Sequence, residues 1–396
     1  VVAAEAGGRV KRLALALALL ALAPACRRRG HARRARDPRQ EFATGCVDPR
    51  YVNAPAVPAP NTVTGAPRAV ATARLGAQRY VAWATDEGAI LWREGSVTTT
   101  RVTPPLPNAA FAMDATATRL LLLWVSLDHE VLAAAFDAGA AARAFPPWGR
   151  GVTEVALAAA PEGALAVWRE PRGLVARPLG PRGEPGGAAE VIASGAVDAP
   201  AVAWTGRDYA VVWRAVEGGA GMVRMRTIDR NGLPVGPALD VVRSDVAIGP
   251  PSACWGGGRL AVTWSDARNG DRGLQSVAVD RAGRPAAEAQ RLSVRFAEGA
   301  RASLAWDGAA FGVTWWEPVG GGVPRSFFAL LDRTGRRIGT GMRVLADDDA
   351  AALTLPVVAW ERPQFVIAVA RADREVEVRR TGPRGCDLPP YVAPAR

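Results

Sequence analysis

The sequence predicts an all-β fold built from repeated four-stranded antiparallel sheets. Three observations carry this expectation. Ten of the 13 tryptophans recur in two regularly spaced columns. The runs around them are short, alternate with period two and are rich in β-branched and aromatic residues. The 42 glycines and 31 prolines fall between those runs, a density that would interrupt helices but suits closely spaced turns.

The unit is clearest in three successive copies. Val202–Trp213, Ala253–Trp264 and Leu304–Trp315 each hold an apolar strand ending at Trp204, Trp255 or Trp306. A tight turn follows, then a second strand ending at Trp213, Trp264 or Trp315. Beyond a polar loop comes a third strand. A hairpin turn then reads Asp229-Arg230-Asn231-Gly232, Asp280-Arg281-Ala282-Gly283 or Asp332-Arg333-Thr334-Gly335, and a fourth strand closes the unit. The second-strand column extends to Trp83, Trp124 and Trp168, and Val369 takes its place in a seventh copy. Trp360 adds a fourth member to the first-strand column, and Gly139, Gly183 and Gly385 extend the hairpin-turn column.

Four strands in each unit of 40–54 residues match the blade of a β-propeller. A single four-stranded sheet cannot bury both of its faces. Blades packed face to face around an axis bury the Trp and Val columns, and circular closure removes free edges. Seven copies predict a seven-bladed β-propeller, with six or eight blades also compatible, and a stacked solenoid as the structural alternative. Cys46 and Cys386 bracket the repeats, so a disulfide between them would tie the first and last blades in an oxidising compartment. Cys254 aligns with Ala203, Ala305 and Ala359, the place of a small, inert core residue.

The charge is concentrated ahead of the repeats. Residues 1–40 carry ten Arg or Lys against Glu5 and Asp37, so about eight of the eleven net positive charges lie there. The body is nearly neutral for its size, which removes the main support for a nucleic-acid partner. Arg9 and Lys11 precede the apolar run Leu13–Ala25, the length of a signal-peptide core and short for a bilayer span. Ala23-Pro24-Ala25-Cys26 fits ordinary signal-peptidase cleavage and also a lipoprotein box that would lipidate Cys26. Leu22 sits one place early for that box, and Arg27, Arg28 and Arg29 oppose translocation. The expected organisation is a signal peptide at 1–25, an Arg-rich disordered linker at 26–45 and the propeller at 46–392. The expected location is the bacterial cell envelope, lipid-anchored or periplasmic, or the medium, with membrane contact only through a lipid anchor.

The V-A-W-x-G strand, the Y/F-x-V-x-W strand and the D-R-x-G turn span roughly residues 65–390. In these the chain resembles the propeller-type repeats common in exported bacterial proteins and lipoproteins of GC-rich species. The resemblance implies an architecture and no activity. The Gly-His…Trp-Asp series of WD40 repeats and the Ser-x-Asp-x-Gly-x-x-Trp boxes of sialidases have no match in the sequence.

The supply of catalytic groups is thin. His31 lies in the leader, and His129 has no Gly-x-Ser-x-Gly elbow to serve. No Cys-x-x-Cys pair, phosphate-binding glycine motif or calcium loop appears, so no catalytic residue, metal ligand or cofactor is assigned. The turn aspartates Asp229, Asp280 and Asp332 read as hairpin chemistry. What remains is the loop after each second strand, which in a propeller lies around the channel mouth. These loops hold Asp86 and Glu87, Asp128 to Glu130, Glu170 and Arg172, Glu217, Glu317, and Asp373 and Arg374, read as solvated charge. The richest holds Asp266, Arg268, Asn269, Asp271 and Arg272, the expected ligand-contact set. The functional expectation is a monomeric, non-catalytic binding or scaffold module for a protein or glycan. Its alternative is a carbohydrate-active hydrolase or lyase using carboxylates at the mouth.

Overall fold

The computed structural model describes residues 57–381, apart from 60–66, 107–109, 139–141, 269, 271, 294, 297–298, 320–322, 344–353 and 371–375. The expected signal peptide, linker, lipidated Cys26 and Cys46–Cys386 disulfide lie outside the described residues, as do Asn269, Asp271, Asp373, Arg374, Gly139 and Gly385. All described residues belong to one compact unit, Pro38–Arg396.

Twenty-eight strands and no helix are present among the described residues, arranged in seven four-stranded antiparallel sheets. The short β1 (Val57–Pro58) comes first. Blade 1 is β2 (Ala69–Leu75), β3 (Gln78–Thr85), β4 (Gly88–Arg93) and β5 (Thr99–Arg101). Blade 2 is β6 (Phe111–Ala115), β7 (Leu120–Val125), β8 (Val131–Phe136) and β9 (Ala142–Ala144). Blade 3 is β10 (Glu154–Ala160), β11 (Gly163–Glu170), β12 (Gly173–Leu179) and β13 (Glu190–Ala193). Blade 4 is β14 (Val197–Trp204), β15 (Tyr209–Glu217), β16 (Ala220–Ile228) and β17 (Pro234–Ser244). Blade 5 is β18 (Ser252–Gly256), β19 (Arg259–Asp266), β20 (Gly273–Val279) and β21 (Gln290–Arg291). Blade 6 is β22 (Ser303–Trp306), β23 (Phe311–Val319), β24 (Val323–Leu331) and β25 (Arg337–Arg343). Blade 7 holds β26 (Val357–Glu361), β27 (Gln364–Ala370) and β28 (Val376–Arg380), with β1 as its outermost strand.

The seven first strands form a closed ring: each touches the next, and β26 touches β2. A ring excludes the solenoid alternative and settles the count at seven blades. Small side chains, as in the EVALAAA run of β10, let these strands crowd the axis. Closure comes from β1. Val57 pairs with Val378 and Pro58 with Glu377, and the Ala59 N–H donates to the Val376 carbonyl at 2.8 Å. The first described segment of the chain thereby completes the last sheet, a device the repeat pattern did not reveal because two residues carry no periodicity.

Both tryptophan columns fall where expected. The second-strand indoles Trp83, Trp124, Trp168, Trp213, Trp264 and Trp315 are buried, and each packs against the preceding blade. Trp213, for example, meets Leu165, Val167 and Leu174 of blade 3. The first-strand indoles are half-buried and serve the opposite face. The turn arginines Arg230, Arg281 and Arg333 lie over Trp204, Trp255 and Trp306 at 5.0, 5.3 and 6.0 Å. Arg230 also reaches Glu162 and Arg281 reaches Thr205, each on the preceding blade. The turn aspartates act as Asx turns. Asp229 Oδ1 accepts the N–H groups of Asn231 and Leu233, and Asp280 and Asp332 repeat the pattern. Gly232, Gly283 and Gly335 follow with φ of 84°, 75° and 86°, backbone angles that favour glycine.

Candidate functional site

The face on which second and third strands are joined, hereafter the channel face, contains the expected contact set. Asp266 ends β19, and the structure buries it to 1% exposure. Its Oδ2 accepts Trp264 Nε1 at 2.9 Å and Arg268 Nε at 2.7 Å, while Gln275 Nε2 donates to Oδ1 at 3.3 Å. Arg268 is exposed, held from below by this carboxylate and beside the Trp264 ring. Arg272 is half-buried, and its carbonyl accepts the Phe296 N–H.

The arrangement recurs. In blade 3, Trp168 Nε1 donates to Glu170 Oε2 at 3.0 Å and Arg172 pairs with the other carboxylate oxygen. In blade 6, Trp315 Nε1 donates to Glu317 Oε2 at 3.4 Å. Glu170 therefore differs from the solvated loop charge expected of it, and Asp266, expected as a ligand contact, is instead the buried support of Arg268. The physical reason is the indole N–H two residues earlier, which a buried polar acceptor must satisfy. The signal was legible as Trp-x-Asp/Glu-x-Arg at 168–172 and 264–268. A carboxylate buried under each arginine fixes the guanidinium before any ligand arrives, which lowers the ordering cost of binding.

Around the mouth itself lies a charged cluster that the loop-centred reading missed. Glu154 and Arg169 are cross-strand partners in blade 3, and Asp198 and Arg214 are partners in blade 4. Arg214 grips Asp198 through two bonds of 2.7 and 2.5 Å. Glu154 Oε2 accepts the Ala199 N–H at 2.7 Å, where Ala199 occupies φ 53° beside a register shift in β14. Arg301, preceding β22, donates to the Pro200 and Pro251 carbonyls at 3.0 and 3.2 Å and lies 3.9 Å from Glu154. One side chain thus ties blades 3, 4, 5 and 6 at the mouth. Burial holds the Arg301 pKa below its ordinary value, partly offset by Glu154 and Asp198. The sequence signal was the residue after the second-strand Trp: Arg169 and Arg214 in blades 3 and 4, but Ala84, Val125, Ser265, Trp316 and Ala370 elsewhere.

Two other charged loops resolve into local pairs. Arg101 binds Glu87 at 2.5 Å, and Arg224 bridges Glu217 and Asp240 at 2.5 and 2.7 Å. His129 sits at φ 56° with Nδ1 3.3 Å from the Val152 carbonyl. Among the described residues no group of three or more His, Cys, Asp or Glu is placed to hold a metal ion. Cys254 is half-buried, and burial pushes its thiol up to about 12, away from nucleophilic chemistry.

Among the described residues two carboxyls are held above their ordinary range. Desolvation raises Glu317, with its hydrogen bonds opposing the shift. Desolvation also raises Asp114 from 3.8 to about 6, against the Ala159 and Ala115 N–H groups that stabilise its charge. Because the folded state holds this proton more tightly, Asp114 favours folding most at low pH. That contribution falls as pH rises from about 4 to about 6 and is gone above. A shift of this size corresponds to at most about 3 kcal/mol. Denaturant unfolding from pH 3.5 to 7 should show the wild type losing stability relative to Asp114→Asn across that window. Parallel curves would contradict the desolvated carboxyl.

No protein-family model and no curated protein sequence matches the chain. Solved structures do match in fold. A puromycin hydrolase S511A mutant complexed with PGG aligns with TM-score 0.52 and 16% identity over 84% of this chain and 55% of that one. An ancestral GH74 enzyme aligns with TM-score 0.53 and 11% identity over 83% of this chain and 49% of that one. TolB from Acinetobacter baumannii aligns with TM-score 0.41 and 11% identity over 78% and 79% of the two chains. The chain spans about half the length of the first two proteins, and identities this low bear on the fold alone.

Proposed function

We propose that this chain is an exported, non-catalytic binding or scaffold module of the bacterial cell envelope. It contacts a protein or glycan through the channel-face loops, centred on Arg268, Asn269, Asp271 and Arg272, with Asp266 as the buried support of Arg268. The observation that carries the reading is the Trp264–Asp266–Arg268 assembly, in which a buried carboxylate presents an exposed guanidinium without taking part in contact itself. Arg172 above Glu170 supplies a second such group in blade 3. Export rests on the apolar run and the Cys26 box of the leader.

The hydrolase or lyase reading has weaker support. Glycoside hydrolysis needs two carboxyls flanking one bond, one of them kept protonated. The two raised carboxyls lie at opposite ends of their blades. Asp114 adjoins the turn between β6 and β7, and Glu317 lies beyond Trp315 toward the channel face. Glu154 and Asp198 at the mouth are already engaged by the Ala199 N–H and Arg214.

The test is a glycan array together with cross-linked capture from envelope extracts, using the full chain. A specific ligand should bind the wild type, and Arg268→Gln should weaken it about tenfold, the loss of one charge-assisted contact. The variant should still unfold in one cooperative transition, which separates lost binding from lost folding. Turnover of a captured glycan by the wild type, or undiminished binding by Arg268→Gln, would overturn the proposal.

A further inference from the structure

The face opposite the channel face carries a cleft of about 220 Å³ between blades 3 and 4. Ala160, Pro161, Glu162 and Leu179 contribute from blade 3, and Trp204, Tyr209 and Arg230 from blade 4. Its chemistry stands out when the same place is followed around the ring. The residue four before each second-strand Trp is Leu120, Ala164, Leu260 or Phe311 in four other blades, and Phe365 holds the matching place in blade 7. All five are buried apolar residues. In blade 1 it is Arg79, whose guanidinium is bound by Glu361 of the preceding blade at 3.1 and 2.7 Å. In blade 4 it is Tyr209, 2% exposed, and its hydroxyl has no hydrogen-bond partner among the described residues. One blade therefore brings a polar tip to this interface and leaves it unpaired, facing a cleft.

The surroundings restrict what would satisfy it. The Tyr209 ring lies 4.9 Å from the Trp204 ring, with Arg230 over the indole at 5.0 Å. Arg230 spends Nε on the Arg207 carbonyl and Nη1 on Glu162 at 3.3 Å, leaving Nη2 with no partner among the described residues. The rim thus holds one positive and one negative group side by side, which balances the charge and disfavours an ionic ligand. Burial raises the Tyr209 pKa, so the hydroxyl stays neutral and acts as both donor and acceptor. Pro161 and Leu179 add apolar surface between these polar tips. The volume falls below the roughly 300–1,000 Å³ of sites for drug-sized ligands, so a single ring is the appropriate size.

We propose that this cleft binds one neutral pyranose unit, whose hydroxyls meet Tyr209 Oη, Arg230 and Glu162 while its C–H surface meets Pro161 and Leu179. An apolar ring would leave the tyrosine hydroxyl unpaired at a cost, whereas a polyol pairs it. The site is independent of the channel-face reading, since it uses the opposite face and no residue of the Asp266–Arg272 set.

Saturation-transfer NMR on the full chain, with glucose, galactose, mannose and N-acetylglucosamine as probes, tests the proposal. At least one neutral sugar should bind in the millimolar range. Tyr209→Phe should weaken it about fivefold, the value of one hydrogen bond in a small site, with no loss of melting temperature. Arg268→Gln should leave it unchanged, which separates this site from the channel face. Absence of transfer from every probe, undiminished binding by Tyr209→Phe, or preference for glucuronate over the neutral sugars would overturn it.

Discussion

Removing residues 1–59 should lower the melting temperature by about 6 °C and promote self-association. The truncation takes β1 from blade 7 and with it the pairing of Val57 and Pro58 against Val378 and Glu377. It also removes the Ala59 N–H bond to Val376 and the buried Ala59 side chain. A few ladder hydrogen bonds at about 1 kcal/mol each, plus lost packing, come to roughly 4 kcal/mol. At about 2.1 cal/mol/K of unfolding entropy per residue, a domain of this size moves its midpoint by about 1.5 °C for each kcal/mol. The β28 edge is then open to pairing with another chain. Differential scanning calorimetry and light scattering of the truncated and full chains measure both effects. A midpoint within a degree or two of the full chain would mean that ring closure does not depend on the strand.

Trp264→Ala should cost about 3–5 kcal/mol, the range for emptying a fully buried indole site. Trp264 is completely buried among Val212, Met225, Leu260 and Val277, and it also donates to Asp266. The substitution therefore opens a cavity and removes a donor from a buried carboxylate at once. The two contributions separate by comparison with Trp213, which occupies the same column but whose Nε1 has no partner among the described residues. Trp264→Phe and Trp213→Phe remove similar volume. The first should cost about 1–3 kcal/mol more, because only it leaves a buried acceptor short of a bond. Equal losses in urea unfolding would show that the indole–carboxylate bond contributes nothing and would weaken the case that Asp266 positions Arg268.

The repeat was readable because packing between blades imposes one residue type at one place in every copy. Trp83, Trp124, Trp168, Trp213, Trp264 and Trp315 each fill the same interface, so the column appears without coordinates. The Asp-x-x-Gly hairpins were readable for a similarly local reason: an Asx turn and a left-handed glycine lie within five residues. The expected contact loop was located by its charge density, but charge density does not distinguish a solvated carboxylate from one buried under an indole. Asp266 needed the positions of Trp264, Arg268 and Gln275 to be understood.

Sequence alone determined the all-β class, the four-stranded unit, seven copies of it and the strands on which ten of the 13 tryptophans lie. All of these follow from short-range periodicity repeated many times. Tertiary structure alone decided three things. It placed β1 beside β28, more than 300 residues away in the chain. It drew Glu154, Asp198, Arg214 and Arg301 together at the mouth. It left the Tyr209 hydroxyl facing a cleft at one interface, where the neighbouring blades place the buried apolar Ala164 and Leu260. Each of these depends on contacts made once, between residues far apart in the chain, and a contact made once leaves no period to read.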